Sequence, residues 1–61
     1  MKFIVEIEIG NDAMSTRDHV AQALRVLATK LVRGAIDTET LDCGKILDEN
    51  GNSVGGWEVR E

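Results

Sequence analysis

Cysteine occurs once, at Cys43, and proline not at all. A single cysteine cannot close an internal disulfide, which excludes the staple of small secreted domains. No apolar run is longer than stretches such as Phe3-Ile4-Val5 or Val26-Leu27-Ala28, so no segment can cross a membrane as a helix. Histidine also occurs once, at His19, and there is no Cys-x-x-Cys. A zinc site or a histidine-activated nucleophile therefore lacks its parts. Phe3 and Trp57 are the only aromatic residues. Single-strand nucleic-acid binders interleave several exposed aromatics with basic residues, a pattern missing here.

What remains is globular in composition. The 61 residues are 43% hydrophobic and 30% charged. That length supports one domain, 1–61, with a small core and marginal stability. The first residues, MKFIVEIEIG, carry acids inside their apolar stretch and are not expected to act as a signal peptide. A soluble, cytoplasmic protein is expected. The net charge of −4 is unevenly spread. Between 17 and 33, Arg17, Arg25, Lys30 and Arg33 face only Asp18, while the remainder is strongly acidic. An acidic total weakens attraction to nucleic acid, although a local basic face can still bind.

Residues 2–9 alternate strictly, with Phe3, Val5, Ile7 and Ile9 on one side and Lys2, Ile4, Glu6 and Glu8 on the other. Period two with β-branched residues predicts a half-buried strand, ended by the turn residues Gly10-Asn11-Asp12. A helix follows, with Ser15 or Thr16 as N-cap. Val20, Ala23, Leu24, Leu27, Ala28 and Leu31 make its apolar stripe, and His19, Val26 and Lys30 flank its polar side. Gly34 suits the helix stop. After a linker at 35–39, strands 41–47 and 54–60 form a hairpin. Two turns are possible. An Asn50-Gly51 turn pairs Cys43 with Glu58. A three-residue loop with a left-handed Gly51 pairs Asp48 with Asn52 and Cys43 with Trp57. The second is preferred, because it separates apolar from polar faces better.

The expected fold is α+β, a single β-α-β-β domain, a three-stranded sheet with one helix packed on one face. Two strand orders are open: with the last strand central the sheet is all antiparallel, which is preferred, and with the second strand beside the first that pair is parallel through a right-handed crossover. The expected core is Phe3, Val5, Ile7, Ile9, Val20, Ala23, Leu24, Leu27, Leu31, Leu41, Cys43, Trp57 and Val59. Gly55-Gly56 is expected to permit a bulge or to seat an aromatic ring on bare backbone.

The chemistry-bearing residues have mostly structural readings. His19 reads as a solvated helix residue. Asp48-x-Asn50-x-Asn52 resembles the start of a calcium loop, but Ser53 and Val59 stand where that loop needs glycine and glutamate, so a hairpin turn is expected. Glu6, Glu8, Asp42 and Glu58 would share the uncovered sheet face, which lacks the cleft that paired catalytic carboxylates need. No catalytic residue, metal or cofactor is assigned. On that same face the preferred register places Ile4, Ile46 and Val54. With Glu6 and Glu58 they form the candidate protein interface, since apolar patches rimmed by charge mark docking surfaces.

The strings Lys2-Phe3…Glu6-Ile7-Glu8…Gly10-Asn11-Asp12-Ala13-Met14, Val20-Ala21…Ala23-Leu24-Arg25 and Asp48…Asn50-Gly51-Asn52…Val54-Gly55…Trp57-Glu58-Val59 resemble a group of small proteins from actinobacteria and their phages. The resemblance spans most of the chain outside 33–45. It implies a short, phage-encoded cytoplasmic accessory protein and carries over no site residue.

The reading is a non-enzymatic protein-interaction module that binds protein through the open sheet face and forms a homo-oligomer, such as a homodimer. One alternative is a nucleic-acid-binding accessory protein using Arg25, Lys30 and Arg33. Another is an acidic inhibitor that mimics nucleic acid. In titrations against DNA or RNA at physiological salt, affinity should not exceed the non-specific range of ~10⁻⁴–10⁻⁶ M. A sub-micromolar complex, weakened by salt and abolished by changing those three cations to Gln, would reverse that ranking.

Overall fold

The computed structural model describes every residue from Met1 to Glu61. Strand β1 (Lys2–Ile7) is followed by helix α1 (Arg17–Val32) and the hairpin strands β2 (Asp42–Leu47) and β3 (Ser53–Arg60). The sheet order is β1-β3-β2 and both pairings are antiparallel, as expected. The architecture is thus a small α+β domain.

Two local networks fix the ends of α1. Thr16, not Ser15, is the N-cap. Its hydroxyl accepts the His19 N–H at 3.2 Å, while His19 Nδ1 accepts the N–H groups of Ser15 at 3.1 Å and Thr16 at 3.4 Å. His19 therefore fills the reciprocal role that Glu or Gln takes in a capping box. At the other end, Gly34 N–H donates to Leu31 and Ala35 N–H to Lys30, a Schellman closure. The chain leaving it turns Ile36 inward, so the expected linker supplies a core residue.

The hairpin combines features of both expected turns. Asp48 N–H donates to Asn52 at 2.9 Å, and the Asp48 carboxylate accepts the N–H groups of Asn50 and Asn52 at 2.9 Å each. Gly51 has φ +81°, a left-handed conformation that costs glycine little. This is the preferred three-residue loop. One residue later the register slips. Leu47 pairs with Ser53, but Ile46 pairs with Gly55, leaving Val54 as an extra residue on β3. Beyond that bulge Cys43 faces Glu58 and Gly44 faces Trp57, which is the pairing of the other turn.

The slip corrects the expected core. Parity now places Asp42, Gly44 and Ile46 on the face of Trp57 and Val59. Without the bulge, Lys45 would point inward opposite Gly55, and burying an unpaired ammonium is very costly. Leu41 and Cys43 are consequently exposed rather than buried, and Ile9 also lies outside the core. Ten of 61 residues are buried, so each one matters to a core this small. Met14 is the most deeply buried. Asn11 and Gly10 fold the chain back on Met14 through backbone bonds, which carries Ala13 and Met14 under the helix start.

Trp57 occupies the centre of this face. It is 8% exposed, and its ring centroid lies 6.1 Å from that of Phe3 on β1. Its indole lies against the bare backbone of Gly44, where a Cβ would collide with the ring. It is Gly44, rather than Gly55 or Gly56, that seats the aromatic ring, while the bulge expected near those two glycines is present. Gly44→Ala should displace the indole at a cost of ~1–3 kcal/mol. Urea unfolding and the emission of the single tryptophan should report it. Unchanged stability and emission would show that the ring does not rest on Gly44.

Candidate functional site

The helix lies nearest β2. Its apolar stripe is therefore turned toward that strand. Ala23 and Leu27 are buried and Val20 and Leu31 are half-buried, but Leu24 stays 44% exposed on the flank away from β2. Between α1 and β2 runs a groove of about 380 Å³. Its apolar walls come from Ala13, Met14, Ala23, Val26, Leu27, Ile46 and Leu47. His19, Gln22 and Lys30 from the helix and Lys45, Asp48 and Glu49 from the hairpin supply its polar lining.

A local hydrogen-bond network borders the groove on each element, the Thr16–His19 cap on α1 and the Asp48-centred turn after β2. The Thr16–His19 cap sets the start of the helix over the buried Ala13-Met14 pair. The Asp48-centred turn closes the end of β2. Asp48 is buried, and its carboxylate is occupied by the two turn amides. Lys30 and Lys45 make no ion pair, the one such contact being Arg60 to Glu58 at 3.8 Å.

The expected site residues fall into different places. Ile46 and Val54 are 6% and 5% exposed and belong to the core, so neither can form part of an open-face patch. The register slip reverses Ile46, and the bulge admits Val54. Ile4 remains on the open face, half-buried, with Glu6 and Glu58 exposed around it. Asp42 leaves that acidic set, because the new parity puts it on the Trp57 side. Its carboxylate instead accepts the Cys43 N–H at 2.8 Å.

Arg25, Lys30 and Arg33 are all exposed, but they do not make one compact cluster. At 100° per residue Arg25 and Lys30 lie about 140° apart around the helix, and only Lys30 borders the groove. His19 serves the helix cap. No three His, Cys, Asp or Glu side chains converge as a metal-binding group. No helix is long and apolar enough to cross a membrane.

Sequence reasoning missed the groove, although its helix side was visible in part. The flank of His19, Val26 and Lys30 is the stripe that borders it. The apolar pair Ala13-Met14, directly before the cap, was a second signal. Leu47 and the groove's closing turn could not be placed without the slipped register.

Comparison of the chain with protein-family models, curated proteins and solved structures finds no match.

The position of Ile46 yields a direct test. Ile46→Asp places a carboxylate in the core and should destabilise by about 3 kcal/mol or more, unfolding so small a domain. Ile4→Asp, on the open face, should keep the helical circular-dichroism signal. A folded Ile46→Asp protein with the wild-type urea midpoint would place Ile46 on the solvent face after all.

Proposed function

We propose that this chain is a non-enzymatic protein-interaction module that also self-associates, an accessory protein of the kind its sequence resemblance implies. The supporting observation is the groove between α1 and β2, with apolar walls and a charged rim. It would take a protein segment presenting one or two large apolar side chains, with an acidic residue set against Lys30 and Lys45. Each apolar side chain fully removed from water contributes ~1.5–3 kcal/mol, enough for a transient complex once ordering costs are subtracted. Free cations at the rim favour an acidic partner and set orientation more than affinity.

Apolar residues left at the surface support the same reading. Val26 of α1 and Leu47 of β2 both line the groove, and both are about half exposed. A partner would cover them together.

The test is a photo-reactive benzophenone amino acid at Val26, with the same group at Val32 as control. Val32 is 88% exposed and does not line the groove. Irradiation in cells that express the protein should give discrete protein adducts from position 26 and not from position 32. Adducts no stronger than the control, or adducts only to nucleic acid, would overturn the proposal.

A further inference from the structure

The two outer strands expose very different edges. Just past β1, the Glu8 N–H donates to Val54 of β3 at 2.6 Å. Strand parity then turns the backbone groups of Lys2, Ile4 and Glu6 toward β3, and those of Phe3, Val5 and Ile7 outward. In β2, the outward set is Cys43, Lys45 and Leu47. There the Cys43 N–H is already taken by the Asp42 carboxylate. A symmetric pairing of β2 centred on Lys45 would oppose two ammonium groups, and one centred on Gly44 would set Cys43 against Lys45. The β2 edge thus resists self-pairing, whereas β1 has an unpaired edge with a complementary charge pattern.

We infer that a second copy of this chain pairs with the outer edge of β1, antiparallel and centred on Ile4. The inference rests on the self-association part of the proposed function and assigns it a site. In this register Phe3 and Val5 exchange backbone bonds with Val5 and Phe3 of the partner, through the groups that parity leaves free. Ile4 meets its own copy on the open face. Lys2 meets Glu6 of the partner, and Glu6 meets the partner's Lys2.

Charge within one protomer favours this register. Lys2 lies directly opposite Arg60, a like charge, and Glu6 lies opposite Gly56 with no cation paired to it. Each protomer supplies what the other lacks, which is how cross-strand pairs select a register. The apolar face agrees. Val5 faces Trp57 and Phe3 faces Val59 within a protomer. Pairing Val5 with the partner's Phe3 extends this as one row from Trp57 across the dimer to the partner's Val59. Phe3, 38% exposed alone, would be covered at the seam.

Sedimentation with charge-exchanged variants tests the site. Wild type should be dimeric at high micromolar concentration. Lys2→Glu and Glu6→Lys should each weaken the dimer roughly ten-fold, because two symmetric pairs become repulsive. The double variant, Lys2→Glu with Glu6→Lys, should restore it. Both substituted positions, Lys2 and Glu6, are exposed, and tryptophan emission verifies folding of all three variants. A monomeric wild type would overturn this inference and the self-association part of the proposal, while leaving groove binding to the crosslinking result. A dimer indifferent to the single changes would overturn the β1 edge but not self-association. Weakening without rescue would overturn the Lys2–Glu6 register.

Discussion

The indole of Trp57 lying against the bare backbone of Gly44 is the contact around which the sheet is organised. Only glycine leaves room for the ring at that position, so Trp57 and Gly44 must be cross-strand partners. The three-residue loop alone would set Trp57 against Cys43 instead. The bulge at Val54 reconciles the two demands. It allows the turn its left-handed Gly51 and allows the strands the pairing that the ring requires. One inserted residue thereby moves Ile46 to the core face, keeps Lys45 in solvent and adds Val54 to the core. A one-residue slip reverses which side of a strand is buried, so the character of the open face follows from this contact.

The groove depends on polar residues that look dispensable in isolation. His19 accepts backbone hydrogen bonds from the chain preceding its own helix, and Asp48 gathers two amides of a turn. Each gives backbone N–H groups that the helix and strand ladders leave free a partner within the chain, a modest net gain per bond. Both residues therefore serve geometry. One fixes the start of the helix and the other the end of the hairpin, and both residues line the groove.

The groove and the free edge lie at opposite sides of the sheet, because β3 separates β1 from β2. A dimer joined through β1 would leave both grooves unobstructed. Two grooves held at fixed separation would bind a divalent partner with an effective concentration far above that of either alone. This links the two proposals physically, since a small domain gains both stability and avidity by pairing.

The alternation from Phe3 to Ile7, the amphipathic stripe of α1 and the Asp48–Asn52 turn were all legible in the chain, because each depends on neighbours a few residues away. They were enough to specify a β-α-β-β domain, while the central place of β3 was a preference that the structure decided. The same alternation also defined the edge strand that carries Lys2 and Glu6. The bulge, the inward turn of Ile46 and Val54, the burial of Met14 and Ile36, and the groove were not legible. Those outcomes depend on which residue faces Trp57 across the sheet and on the helix settling over β2. Only the assembled fold decides them, because ring volume, backbone clearance and the cost of burying Lys45 compete there at one point.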